Sequence, residues 1–171
     1  MKALLIIDML KDFVYEDGAL PVAKAKELIP RINQEIKKFR EKGYPIIFVC
    51  DAHEKGDEEF KLWGEHCVKG TRGAEIIDEL DKSEEDIVIE KTRYSGFYKT
   101  KLDEVLRSKN IKEVVLTGVL TNVCVLYTAA DAMFRGYGVT VLRDCVASVS
   151  EEEHEWALKH MRDIIKANIK P

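Results

Sequence analysis

Ala3-Leu4-Leu5-Ile6-Ile7-Asp8 decides how this chain folds. Five apolar residues follow one another with no polar residue alternating among them, and a carboxylate ends the run. That is the pattern of a strand covered on both faces, which belongs to a parallel sheet flanked by helices. The rest of the chain must then supply further apolar strands separated by amphipathic segments. It does so with Ile46 to Cys50, stopping at Asp51, and with Ile87 to Ile89, stopping at Glu90 and Lys91. Val114 to Thr117 follows, before a turn that begins at Gly118, and then Val139 to Leu142, which ends at Arg143-Asp144.

The segments between these runs have helical period. From Ala23 to Lys42, the residues Leu28, Ile32, Ile36 and Phe39 form one apolar face, and Gly43 closes the helix. Shorter helices are predicted near 73–80 and around 100–109, the second with Leu102, Val105 and Leu106 on one face. A helix from Asn122 to Arg135 is closed by Gly136 and Gly138. The last runs from Ser150 to Ala167, with Ser150 and Glu153 as a capping box. Asn168-Ile169-Lys170 fits either a sixth short strand or a tail. Residues 53–72 are polar and irregular, the character of a long functional loop. No repeat, low-complexity tract or Pro/Gly-rich linker divides the sequence, so residues 1–171 are expected to form one domain. The expected fold class is α/β: an open parallel β-sheet with helices on both faces, a Rossmann-like three-layer sandwich joined by right-handed crossovers.

Composition narrows the function. Of 171 residues, 46% are hydrophobic and 34% charged, which is enough to bury a core without staples. The formal net charge is −4 and no basic stripe occurs, which argues against nucleic acid as a partner. The first apolar run is too short for a signal or a membrane span, so a cytoplasmic location without membrane association is expected. Cys50, Cys67, Cys124 and Cys145 are irregularly spaced with no CxxC pair, and reduced thiols are expected. The sequence leaves open whether identical chains associate.

In open parallel sheets, ligands bind beyond the carboxyl ends of the strands. Asp8, Asp51, Lys91 and the turn carrying Cys124 all lie just past such ends, so they are expected to converge on one crevice. A thiol near a helix start feels the positive end of the dipole and ionises more readily, and free amides there can hold an oxyanion. Cys124 could equally be a small buried core residue. Lys91 can favour a thiolate and keep a carboxylate ionised, or be a solvated strand end. Asp8 can act as general base and then general acid, or simply close its strand.

Three stretches weigh these alternatives together: Ile6-Ile7-Asp8-Met9 with Asp12-Phe13, Glu90-Lys91-Thr92-Arg93-Tyr94-Ser95-Gly96-Phe97, and Thr117-Gly118-Val119-Leu120-Thr121-Asn122-Val123-Cys124 continuing to Ala132. In this order, the chain resembles the isochorismatase-like cysteine hydrolases from the first strand to Asp144. The resemblance implies a catalytic triad of Asp8, Lys91 and Cys124. It also implies a non-proline cis peptide at Val119–Leu120 and an oxyanion hole formed by the Leu120 and Cys124 amides.

Asp51-Ala52-His53 closes the second strand, and His66 follows in Trp63-Gly64-Glu65-His66-Cys67-Val68. One carboxylate and two imidazoles suit one divalent metal ion, with Zn favoured and Mn or Fe as alternatives; three polar residues in a solvated loop are the other reading. The pattern is similar to the metal region of nicotinamidases within the same superfamily. That likeness implies Asp51, His53 and His66 as ligands. Glu59, seven residues before His66, matches a further ligand of some nicotinamidases. Cys67 is expected to pack inward, and His154 and His160 to be surface residues. By the same resemblance, Phe13 and Trp63 sandwich a pyridine ring and Tyr94 borders the pocket. Leu10, Gly64-Glu65 and Asn122 depart from patterns common among relatives, and these departures bear on the substrate rather than on amide hydrolysis.

The expected reaction is hydrolysis of nicotinamide to nicotinate and ammonia through a Cys124 thioester, a step of NAD salvage. The metal's task would be to supply water or to orient the pyridine ring. The alternatives are another small amidase, acting on a carbamoyl or ureido substrate, and a non-catalytic binding protein on the same fold. Vinyl ether hydrolysis, the reaction of isochorismatase itself, needs neither this thiol nor this metal site.

Overall fold

The computed structural model describes residues 1–171. Six strands form one sheet: β1 (Lys2–Ile7), β2 (Ile46–Asp51), β3 (Ile87–Lys91), β4 (Glu113–Val119), β5 (Gly138–Ala147) and β6 (Asn168–Lys170). Their spatial order is β3-β2-β1-β4-β5-β6, and every pairing is parallel. The chain first winds outward from β1 to β3, then returns to the middle and winds the other way. The order therefore reverses between β1 and β4, and a crevice opens at their carboxyl ends.

Alternate residues of β1 enter different cores, as the period of two requires. Ala3, Leu5 and Ile7 pack with α4 (Leu102–Ser108), α5 (Leu126–Phe134) and α6 (Glu151–His160). Leu4 and Ile6 face the other side, where α2 (Ile29–Glu41) buries Ile32, Ile36 and Phe39. Two four-residue helices, α1 (Lys11–Val14) and α3 (Phe60–Trp63), sit near the crevice.

Several segments differ from expectation. The predicted helix at 23–42 begins as a 3-10 turn at Ala25–Leu28 and becomes α-helical at Ile29, because Pro30 is tolerated only in a first turn. The predicted helix at 73–80 is absent beyond a 3-10 turn at Arg72–Ala74. Leu10 bridges Ile76 antiparallel and the Ile77 amide donates to the Met9 carbonyl (3.1 Å), so tertiary pairing overrides the local period. β5 continues past Arg143-Asp144 to Ala147, with its register against β4 shifting between Leu116 and Gly118. The last helix loosens into a wide turn at Met161–Ile165, and residues 168–170 do form the sixth strand, beside β5. All four cysteines are free and buried, Cys67 completely so. No helix is long and apolar enough to cross a membrane.

Candidate active site and metal centre

Strand ends deliver the charged groups to one place. Asp8 follows β1 in a left-handed conformation (φ 53°), and its Oδ1 accepts a hydrogen bond from the Asp51 amide at 2.8 Å. Asp51 and Lys91 are paired in register at the ends of β2 and β3. The Lys91 ammonium is buried, 3.0 Å from Asp8 Oδ2, 2.5 Å from Asp51 Oδ1 and 3.4 Å from Cys124 Sγ. The convergence expected from strand ends is thus present in detail.

Cys124 arrives by a different device. After β4 the Val119–Leu120 peptide is cis, and residues Thr121–Val125 form a turn wider than an α-helix, in which the Val125 amide donates to the Leu120 carbonyl at 3.1 Å. Gly118 allows this approach. Its φ is +108°, and a Cβ there would lie 2.0 Å from the Ile7 carbonyl oxygen.

The electrostatics reverse one expectation. A helix-start thiol beside an ammonium was expected to ionise readily. Burial instead pushes the Cys124 thiol well up, with Asp8 and Asp51 adding to the rise against the pull of Lys91. Burial likewise raises the Asp8 carboxyl to about 6, helped by Asp51 and opposed by Lys91 and by the hydrogen bond from Cys124. The resting pair is therefore a protonated thiol beside a carboxyl poised near neutrality. That is the balance a general base needs.

Asp51 joins this group to a second cluster. Its Oδ2 lies 3.5 Å from His53 Nε2 and 3.8 Å from His66 Nε2, and Glu59 Oε2 lies 3.2 and 3.5 Å from the same two nitrogens. All four residues are buried. The long loop achieves this by folding back: the His53 amide donates to the Cys67 carbonyl (2.9 Å) and the Lys69 amide to the His53 carbonyl (2.8 Å). His66 Nδ1 donates to the Gly64 carbonyl (2.8 Å) and His53 Nδ1 to Asp57 Oδ2 (3.1 Å), since neither acceptor can donate. Both rings therefore turn Nε2 toward the carboxylates.

Burial pushes the two imidazoles down, but Asp51 and Glu59 more than offset it and raise His53 to about 10 and His66 to about 9. The cluster stabilises positive charge at its centre. Its donor atoms lie within 4.8 Å of one another, and His53 Nε2 and Glu59 Oε1 are buried with no hydrogen-bond partner. Two imidazoles and two carboxylates arranged so fit one divalent ion of the zinc type.

A cavity of about 220 Å³ opens on both clusters. Phe13, Trp63, Tyr94, Leu120 and Cys124 line it with Asp8, Asp51, Glu59 and His66, and no lysine or arginine does. The expected pocket residues are therefore brought together. Trp63 Nε1 donates to the Tyr94 hydroxyl at 3.0 Å, tying α3 to the segment after β3.

Some structural residues were not singled out from sequence. Asp12 accepts from the Cys67 amide (2.8 Å) and the Ala19 amide (3.0 Å) and so holds the metal loop, although it already stood in the first motif. His154 is corrected from surface to interior: it is 8% exposed and shares a 2.8 Å hydrogen bond with Thr121 in the cysteine turn. Ala157, Leu158 and Met161, three, four and seven residues on, marked that helix face as apolar. His160 is partly exposed and stacks on Trp156. Glu153 does not reciprocate the Ser150 cap; its carboxylate accepts instead from Asn122, which also accepts from Ser148 at 2.6 Å.

Comparison with known proteins adds four findings. The isochorismatase domain model matches residues 2–169. The crystal structure of pyrazinamidase/nicotinamidase from Streptococcus mutans is similar with a TM-score of 0.93 and 38% identity, covering 99% of each chain. That of Pyrococcus horikoshii pyrazinamidase in complex with zinc gives 0.93 and 38%, covering 98% of this chain and 97% of that one. N-carbamoylsarcosine amidase from Thermoplasma acidophilum is close behind at 0.91 and 37%, covering 99% and 95%.

Proposed function

The chain belongs to the isochorismatase family of hydrolases, and on that premise we propose that it is a cysteine amidase whose substrate is nicotinamide. The observation that carries this reading is the meeting of Asp8, Lys91 and Cys124 at the floor of an aromatic-lined cavity. Asp8, ionised near neutral pH, takes the Cys124 proton while the Lys91 ammonium stabilises the thiolate. The sulfur attacks the carboxamide carbon, and the amides of Leu120 and Cys124 receive the oxyanion. Asp8 returns the proton to departing ammonia, and water cleaves the thioester to release nicotinate.

Asp51, His53, Glu59 and His66 would hold one divalent ion, zinc first. That ion would supply Lewis acidity to a bound ligand or water. Phe13, Trp63 and Tyr94 offer faces and edges to a flat ring. The pocket's own charges support a neutral amide. Carbamoylsarcosine carries a carboxylate, and here no lysine or arginine lines the cavity to receive one, while the His66 imidazole is already faced by Asp51 and Glu59. The similarity to N-carbamoylsarcosine amidase nevertheless makes a carbamoyl amide the second reading.

Ammonia release from nicotinamide, N-carbamoylsarcosine and a ureido acid by zinc-loaded protein tests both readings. Release from nicotinamide, lost in Cys124→Ala, is expected. Faster turnover of a carbamoyl or ureido substrate replaces the substrate assignment, and no release from any small amide leaves a binding protein on this fold.

A further inference from the structure

Asp57 and Arg93 lie outside both clusters, yet they hold them together. The Asp57 side chain is 8% exposed, and its carboxylate has four contacts. Oδ2 accepts from His53 Nδ1 at 3.1 Å, which orients that ring. Oδ1 accepts from the backbone amide of Glu59 at 2.8 Å, which fixes the start of α3 and the Glu59 side chain with it. Arg93 Nη1 donates to both oxygens, at 3.0 and 3.1 Å. One carboxylate thus anchors two of the four candidate ligands, one by side chain and one by backbone.

Arg93 continues the chain of contacts inward. Its carbonyl accepts a 3.0 Å hydrogen bond from the ammonium of Lys91, the group that faces Cys124. The Arg93 side chain is 42% exposed and does not line the cavity.

We propose that Asp57, braced by Arg93, is the positioning residue of the metal centre, fixing the His53 tautomer and the Glu59 backbone. The proposal rests on the reading of Asp51, His53, Glu59 and His66 as metal ligands. An outer carboxylate on a ligating imidazole keeps its proton on the far nitrogen and makes the near one a better donor. A neutral side chain in its place leaves the ring free to turn and to exchange tautomers. Asp57 lies four residues after His53, in a loop whose hydrogen-bond partners are distant in sequence, so neither residue was singled out from sequence for this role.

The test is zinc affinity, measured by competition with a chromophoric chelator on wild type, Asp57→Ala, Arg93→Met and Arg93→Lys. Loss of an outer partner of this kind weakens metal binding by about 10- to 100-fold, which is expected for Asp57→Ala. Arg93→Met removes only the brace and is expected to weaken binding by more than twofold but less than Asp57→Ala does, with Arg93→Lys restoring most of it. A merely structural role would leave the spectrum of bound cobalt(II) unchanged, whereas release of His53 shifts its visible bands in Asp57→Ala. Unfolding midpoints of the metal-free proteins separate misfolding from lost affinity, and the two Arg93 variants decide the matter if Asp57→Ala does not fold. Wild type without measurable zinc binding overturns the metal reading itself. Wild type that binds zinc, with Asp57→Ala or Arg93→Met within twofold of it, overturns this inference alone.

Discussion

Lys91→Met probes the centre of the site, because it keeps an unbranched side chain of similar length while removing the ammonium and the hydrogen bonds it donates. The ammonium lies 3.0 Å from Asp8 and 2.5 Å from Asp51 in a fully buried position. Removing one partner of a buried ion pair costs about 3–5 kcal/mol, since the charge left behind has neither water nor counter-ion. Asp51 keeps the His53 and His66 imidazoles at 3.5 and 3.8 Å. The loss therefore falls mainly on Asp8, and the low end, about 3 kcal/mol, is expected. For a chain of this size each kcal/mol moves Tm by about 2–4 °C, which places the variant about 6–12 °C below wild type.

The sign of the pH effect follows from Asp8. Its carboxyl already sits at about 6 with the ammonium present, and loss of the ammonium pushes it further up. A carboxyl raised on folding contributes stability at low pH and loses that contribution as pH rises through its folded value. Wild type stops losing stability from this group above about pH 6, whereas the variant continues to lose it. The Tm gap should widen from pH 6 to 8 and narrow toward pH 5. Calorimetry of the chelated proteins across that range measures it. A gap that shrinks with rising pH, or stays below about 3 °C at pH 8, refutes the buried-pair reasoning.

Other outcomes follow from the same geometry. If Asp8 is the base, kcat/KM for the amide should fall tenfold per pH unit below about pH 6, where the carboxyl takes up its proton; a flat acid limb, or retained activity in Asp8→Asn, removes Asp8 from that role. Gly118→Ala places a methyl against the Ile7 carbonyl and should cost at least about 3 kcal/mol in denaturant titration. Gly136→Ala has positive φ but open space around it, so about 1–2 kcal/mol is expected, and equal losses at the two sites would contradict the steric argument. Phe13→Ala should raise KM for a flat aromatic amide about three- to tenfold with kcat nearly unchanged, and an unchanged KM would take the ring out of the binding face.

The sequence alone determined much of the frame. A run such as Ala3–Ile7, apolar at every position, is informative because covering by helices on both faces leaves no solvent side to mark with polar residues. The polar residue that ends each run is equally local, and so Asp8, Asp51 and Lys91 were legible as strand-end groups before any contact was known. The motif around Cys124 marked the turn, while Asp51, His53 and His66 stood out as a group only through the resemblance to the metal region of nicotinamidases.

Tertiary structure decided what depends on partners distant in the chain. Ile76 and Ile77 pair with Leu10 and Met9, against the helical period of their own segment. His154 becomes an interior residue because α6 docks on the cysteine turn. The Cys124 thiol is raised rather than lowered, since the desolvation of a sulfur walled in by other elements outweighs the dipole and ammonium that the local sequence foretold. Asp57 and Arg93 meet across thirty-six positions of chain. Period and strand ends are properties of neighbours along the backbone, whereas burial and charge pairing are properties of neighbours in space; only folding makes the second set real.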